Sequence, residues 1–331
     1  MAAYTGIQGQ NILIVSSDPA NPTEGQIWYN TTSNLLKGYQ FVVANTWASG
    51  GSLNTARAIE IGGVGNGASN SSALAYGGYL ISESNSASSE SYNGTSWTST
   101  PSLNTARRNL SSGLGTQTAA LCTGGFSDSY TNTTEKWNGS SWTSNPTGLN
   151  TGRGAIGSSG TQTAGLAFGG VTSTANSAAT ESFNGTSWTT LPATLNTARY
   201  SGAGFGSSTA ALYTGGDTGP AKSDSVESYN GTSWTSNPTG YTASRSRLGG
   251  AGTQTAGLAF GGGTPLSNVT ASWNGSTWTN LPATLATARD GGSSAGTQAS
   301  ALYAGGSSPP YTGATEEWTG SSFQTRTITS S

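Results

Sequence analysis

Short apolar runs of three to five residues, such as Gly165-Leu166-Ala167-Phe168, alternate along most of the chain with stretches of Gly, Ser, Thr and Asn. No segment shows a helical period over ten or more residues, and so much Gly, Ser and Thr opposes helix throughout. The pattern predicts short strands joined by tight turns, an all-β chain. Within each unit four strands are predicted. A Gly/Ser-rich first strand (58–64, or 154–159) turns at Gly-Thr-Gln-Thr-Ala (115–119, 160–164, 252–256) into an apolar second strand. A third strand carrying Glu-Ser-Tyr/Phe then meets a Trp-bearing fourth across Asn-Gly, a hairpin signal in which both turn positions are expected at φ > 0.

The units are copies of one another. Leu-Asn-Thr-Ala-Arg or a near variant ends at Arg57, Arg107, Arg153, Arg199, Arg245 and Arg289, at spacings of 50, 46, 46, 46 and 44. Gly-Gly closes the apolar run at 77–78, 124–125, 169–170, 215–216, 261–262 and 305–306. The Asn-Gly turns stand at 93–94, 138–139, 184–185, 230–231 and 274–275, with Thr319-Gly320 in the sixth copy. Three residues after each turn glycine comes Trp97, Trp142, Trp188, Trp234, Trp278 and finally Phe323. A four-stranded unit of about 46 residues matches a propeller blade, whose two faces are covered by radial stacking. Glycine suits the innermost strand, where backbones converge, and the recurrent Trp and Tyr would fill the wider outer spaces.

These residues resemble the kelch family, whose blade runs from apolar residues ending in Gly-Gly through a spaced Tyr and Trp to the Arg that opens the next blade. The resemblance covers 53–324 and implies a six-bladed kelch-like β-propeller of four-stranded blades, here at 51–331, with a short N-terminal β extension at 1–50. Trp47 precedes Leu53 by the offset that separates Trp97 from Leu103, so 39–47 reads as a further outer hairpin. It would close the ring, giving a seven-bladed alternative, add an edge to one blade, or stand outside. The stretch Asp18-Pro19-Ala20-Asn21-Pro22-Thr23-Glu24-Gly25-Gln26-Ile27-Trp28-Tyr29-Asn30, followed by Leu35-Leu36-Lys37-Gly38-Tyr39, is similar to a motif of bacteriophage tail and virion proteins. The Ser/Thr/Asn/Gly-rich repeats are similar to kelch arrays of marine phages.

Composition narrows the chemistry. Of 331 residues only 8% are charged, with 12 Lys+Arg against 14 Asp+Glu, which gives no electrostatic reason to bind nucleic acid. No apolar run approaches 18 residues, so membrane insertion is not expected. The opening Met1-Ala2-Ala3-Tyr4-Thr5-Gly6 lacks the basic start and apolar run of a secretory signal, which predicts assembly in a host cytoplasm. A 33% hydrophobic fraction would permit disorder, but ten Trp and thirteen Tyr argue for a packed core. The absence of His removes the commonest metal ligand and the usual general base, and excludes the copper-radical oxidases built on kelch-like propellers. The single Cys, Cys122, reads as a small buried residue. Glycosidase chemistry needs paired carboxylates. Here the acids are scattered singly, and Glu316-Glu317 face opposite ways on one strand. No catalytic residue, cofactor or metal is expected.

A residue that recurs in every copy serves the copy, because a site normally needs asymmetry. The six arginines are therefore read as structural, each bonding backbone carbonyls between blades, rather than as a binding ring in a channel. Glu90, Glu135, Glu181, Glu227 and Glu316 are available to pair with them, while Ala271 interrupts the series. Trp97, Trp142, Trp188, Trp234 and Trp278 are likewise read as structural. Each Asn-Gly-Thr/Ser turn is formally a glycosylation acceptor, but turn chemistry accounts for it. The block around it resembles the sialidase Asp-box, with Asn for Asp and one residue fewer.

What varies between copies is the segment after Gly-Gly: 79–89, 126–134, 171–180, 217–226, 263–270 and 307–315. Ring symmetry would put all six on one face, where variable loops on a rigid scaffold are the expected place for recognition. Tyr79, Tyr130 and Tyr311 are its candidate anchors, able to stack on sugars and to hydrogen-bond. The expectation is a non-enzymatic phage virion protein, multicopy or homo-oligomeric. Its first ~50 residues would attach to other virion proteins, and its propeller would bind a host-surface glycan or receptor. The alternatives are a purely structural decoration or tail subunit, and a degenerate carbohydrate-active enzyme.

Overall fold

The structure is a computed structural model that describes residues 12–42, 44–59, 62–64, 70–110 and 114–328. The opening residues 1–6 and part of the 58–64 stretch lie outside them. Every regular element among the described residues is a strand. The chain divides into two compact units, Met1–Asn45 with Gly320–Ser331, and Thr46–Thr319.

The larger unit holds six four-stranded antiparallel sheets, an arrangement consistent with a β-propeller. Sheet III is representative: Gly157–Gly160, Gly165–Phe168, Thr180–Phe183 and Trp188–Thr190 lie side by side in chain order. Sheets I, II, IV and V repeat it, with third strands Ser89–Tyr92, Thr134–Trp137, Val226–Tyr229 and Thr270–Trp273. Sheet VI differs in origin. Its first three strands are Ser293–Gly296, Ser300–Ala304 and Thr315–Thr319, but its fourth is Thr46–Gly50 from the other end of the chain, with Trp47 opposite Trp318. Residues 39 and 47 therefore do not share a hairpin, and the sequence boundary at 50/51 leaves the whole of Thr46–Gly50 on the N-terminal side, although this strand belongs to the larger unit. The expected Trp318–Phe323 hairpin is also absent, because Ser322–Thr327 pairs with Leu35–Val42 in the smaller unit. Trp47 thus stands opposite Trp318 where the repeat pattern had placed Phe323.

Each sheet buries both faces. Apolar clusters join sheet I to II (Leu74, Tyr76, Cys122, Trp142) and II to III (Leu121, Ile156, Ala167, Trp188). Others join III to IV (Phe168, Tyr213, Trp234), IV to V (Phe205, Val226, Trp278) and V to VI (Phe260, Tyr303, Trp318). A sixth joins VI back to I through Leu302, Ala304, Tyr92 and Trp97. The first strands crowd together, as their glycine content predicts: a Cβ on Gly250 would come within 2.8 Å of the Ala203 Cβ in the preceding sheet. Cys122 packs in the first of these clusters, where burial pushes its thiol up to about 12 against the opposing pull of Arg107.

Polar bonds repeat with the same period. The second N–H of each Gly-Gly donates to the carbonyl of the next repeat's arginine, 2.8–3.0 Å, from Gly78 to Arg107 through Gly262 to Arg289; Gly306 donates to Arg57 of the first repeat. Both glycines of a pair, such as Gly169 and Gly170, sit at positive φ, and a Cβ on Gly169 would meet the Arg199 carbonyl at 2.6 Å. The glutamines of the Gly-Thr-Gln-Thr-Ala turns are clamps between sheets. Gln117, Gln162, Gln254 and Gln298 each donate to two carbonyls of the preceding sheet at 2.5–3.2 Å, a role that the repeat pattern alone does not reveal.

The Asn-Gly turns are not two-residue turns. Tyr92 pairs with Trp97, leaving a four-residue loop in which only the glycine has φ > 0. The asparagine serves through its side chain: Asn93 Oδ1 accepts the N–H groups of Thr95 and Ser96, and Asn138, Asn184, Asn230 and Asn274 do the same.

Indole donors link neighbouring sheets. The Nε1 of Trp188, Trp234, Trp47 and Trp97 donates to Thr134, Thr180, Thr270 and Thr315 of the preceding sheet at 2.8–3.0 Å, the last two across the ends of the chain. Where the acceptor position is Val226, the buried Trp278 Nε1 is unpartnered, and where it is Ser89, both Ser89 Oγ and Trp142 Nε1 are unpartnered. Val226→Thr is accordingly expected to stabilise the chain by about 1 kcal/mol, the net value of one hydrogen bond to a donor already desolvated. Urea denaturation of the two chains checks it; a lower midpoint for the variant rejects the bond.

In the smaller unit, Leu13–Val15 runs parallel to Ile27–Asn30, which pairs with Leu35–Val42. Asp18 ties it together, accepting from Trp28 Nε1 (3.0 Å), Asn30 Nδ2 (2.7 Å) and Lys37 Nζ (2.7 Å). The Lys37 bond chiefly, with those of Trp28 and Asn30, holds the Asp18 carboxyl down at about 2. A depressed carboxyl stabilises the fold above the ordinary value near 4 and ceases to do so as pH falls through about 2. The buried Trp28 indole N–H resonance is expected to keep its shift from pH 7 to 4 and to move with a midpoint near 2. Titration nearer 4 would show the knot unformed.

Candidate functional site

The repeated charged side chains lie inside the sheets. Arg57, Arg107, Arg153, Arg199 and Arg289 are at most 1% exposed and pair with Glu90, Glu135, Glu181, Glu227 and Glu316. The carbonyls the guanidinium groups reach, such as Gly169 O for Arg153 and Gly215 O for Arg199, belong to their own repeat and not to the neighbouring one. The glutamate on the same repeat's third strand captures the side chain there. Its second oxygen accepts, at 2.7 Å, the N–H of the residue three before the arginine (Asn54, Asn104, Asn150, Asn196, Ala286), pinning the loop that enters each sheet. Arg245, opposite Ala271, has no such acid; it is partly exposed and donates to the Pro265 carbonyl. The tryptophans at 97, 142, 188, 234 and 278 are buried at 5–8% exposure and stack against the paired ring of their own sheet, at 5.0–5.5 Å.

The variable segments are organised by backbone. The residue after each arginine pairs with the residue after Gly-Gly: Ala58 with Tyr79, Arg108 with Phe126, Gly154 with Val171, Tyr200 with Asp217, Ser246 with Gly263, and Asp290 with Ser307. The next residue in each repeat, Ile59, Asn109, Ala155, Ser201, Arg247 or Gly291, has φ between 52° and 63°. That turn aims its N–H at the neighbouring repeat. Asn109 donates to Ile59, Ala155 to Asn109, Ser201 to Ala155, Arg247 to Ser201 and Gly291 to Arg247, at 2.6–3.2 Å. The resulting belt holds the variable segments beside one another at one end of successive sheets.

Two clusters of side chains stand on this belt. In the first, the Arg108 guanidinium lies 4.5 Å from the Tyr79 ring centre and 4.6 Å from that of Phe126, and Tyr130 meets Phe126 edge-on at 5.2 Å. Arg108 also donates to Asn85 Oδ1 (2.8 Å), whose Nδ2 donates to the Ser127 carbonyl (2.7 Å). The second cluster comprises Asp217, Lys222, Arg247 and Asp290, in ion pairs Lys222–Asp217 and Arg247–Asp290, the latter at 3.7 Å. Burial would raise the Asp217 carboxyl, but the Lys222 ammonium, the Gly219 N–H and Tyr200 outweigh it and leave it lowered. For Asp290 burial prevails over Arg247 and Lys222, and the carboxyl is raised.

No protein-family model matches the chain, and no curated protein is significantly similar to it. Its chemistry therefore has to be read from the site itself. Of the three candidate anchors, Tyr79 and Tyr130 belong to one cluster, Tyr79 against Arg108 and Tyr130 against Phe126, while Tyr311 lies in the sheet VI segment, paired with Ser307. Arg108 carries no mark in the repeat pattern, because it directly follows the repeated Arg107. The one available signal is that its position holds Ala, Gly, Tyr, Ser and Asp in the other copies. Among the described residues no group of three or more acidic or thiol side chains is arranged to hold a metal.

Proposed function

We propose that the larger unit is a closed six-bladed β-propeller of the kelch type that acts as a rigid, non-enzymatic recognition module. Three sets of bonds support closure: the Gly306–Arg57 backbone bond, the Trp97–Thr315 link and the apolar cluster between sheets VI and I each repeat a contact made between consecutive sheets. Six blades fit better than seven because Trp47 takes the fourth-strand place of sheet VI, and the four strands of the smaller unit form a sheet that contains a parallel pair, unlike the six antiparallel sheets. The observation that carries the function is the segregation of side chains. What repeats is buried and bonded within the scaffold, and what varies (Tyr79, Arg108, Phe126, Tyr130, Tyr200, Asp217, Lys222, Arg247, Asp290) gathers on one belt. A non-catalytic role is favoured because five of the fourteen acids are committed to buried arginines.

The place of action in this reading is a phage particle, with a host-surface glycan or receptor as the partner of the belt face and the smaller unit as the attachment point. It rests on the likeness of 18–30 to virion proteins, a stretch whose Asp18, Trp28 and Asn30 form the bonded knot described above. A glycan array probed with the purified chain tests the recognition role. Binding to a defined set of glycans, weakened by Tyr130→Ala, is expected. No bound glycan would favour a decoration subunit that packs against other virion proteins.

A further inference from the structure

Resting on that reading, we infer that the Tyr79–Arg108–Phe126–Tyr130 cluster is a subsite for a carboxylate-bearing sugar residue. Arg108 is a positioned cation. The two rings that flank it hold its plane, and Asn85 takes one of its five donors. Among the described residues no carboxylate lies within 4.0 Å of it, whereas Arg57, Arg107, Arg153, Arg199, Arg247 and Arg289 each have one. A guanidinium already held in plane loses little side-chain freedom on meeting a carboxylate, and its fork matches the two oxygens.

The surroundings favour a sugar over an acidic peptide. Phe126 and Tyr130 are partly exposed and set edge-to-face, offering an apolar platform for the C–H face of a pyranose. The same two segments present Ser82, Ser84, Ser127, Ser129 and Thr131, hydroxyl groups suited to a hydroxyl-rich ligand.

The test is calorimetric titration of the full chain with tetragalacturonic acid, its methyl ester and tetraglutamate. The acid is expected to bind at least tenfold more tightly than the ester. Arg108→Gln should abolish that preference, Arg108→Lys should restore only part of it, and Lys136→Gln, which removes a cation elsewhere, should leave it intact. Equal binding of acid and ester, or acid binding indifferent to Arg108→Gln, overturns the subsite while leaving glycan recognition standing. Binding of tetraglutamate in preference to the sugar acid overturns it in favour of an acidic peptide. If neither sugar binds here and no glycan binds on the array, the recognition reading fails with it.

Discussion

A chain running from Thr46 to Thr319 is expected to unfold cooperatively, and one starting five residues later, at Gly51, is expected to show no cooperative transition. The five residues Thr46–Gly50 pair along the whole of Thr315–Thr319 and complete sheet VI. Trp47 contributes most. Its ring lies 5.0 Å from Phe260 and 5.4 Å from Trp318, and its Nε1 donates to Thr270 in sheet V. Truncating a large buried aromatic costs about 3–5 kcal/mol, and Trp47, partly buried against the apolar cluster of sheets V and VI, falls toward the lower end. Losing the strand also bares the outer face of Trp318 and a row of unpaired backbone groups on Thr315–Thr319. Against the roughly 5–15 kcal/mol of a typical domain, that sum removes most of the stability. Differential scanning calorimetry of the two chains decides it. A shared, sharp transition would mean that Trp47 is dispensable and that sheet VI holds with three strands.

The contrast between those two chains also shows what was legible in the sequence. The period and the strands of sheets I to V were plain, because apolar runs, Gly-Gly pairs and tryptophans recur there with fixed spacing. Trp47 was visible as an isolated indole at the right offset from Leu53, but its partner was not. Sequence spacing orders strands along the chain and says nothing of which open edge a distant strand will fill. The Asn-Gly turns misled for a related reason: asparagine tolerates positive φ and also accepts hydrogen bonds through its side chain, and the second property is the one used at Asn93 and its counterparts. The belt was invisible because it is made by backbone. Ile59, Asn109, Ala155, Ser201 and Arg247 share a conformation but no chemistry. The candidate site lies along the belt, so the variable segments were legible as a set while the pairing of Arg108 with Tyr79 and Phe126 was not.

Among single substitutions, Glu181→Ala is expected to cost the most, about 3–5 kcal/mol, because it strands a buried cation. Arg153 is fully buried, and Glu181 is its only carboxylate partner among the described residues. The same carboxylate holds the Asn150 N–H at 2.7 Å, so the entering loop loses its anchor as well. Sheet V already displays the consequence of a missing acid. Opposite Ala271, Arg245 is partly exposed and reaches the Pro265 carbonyl, and Tyr241 takes the buried position that leucine holds in the other copies. Sheet III has Leu195 and Leu149 packed nearby and no such adjustment, so its arginine has nowhere comparable to go. Replacing both partners, Arg153→Met with Glu181→Leu, removes the stranded charge and should recover most of the loss. The coupling between the two positions, read from a double-mutant cycle in urea, should reach at least about 2 kcal/mol in favour of keeping or losing the pair together. Additive losses would mean that Arg153 is held by the Gly169 carbonyl and its packing, and that the repeated glutamate serves the loop alone.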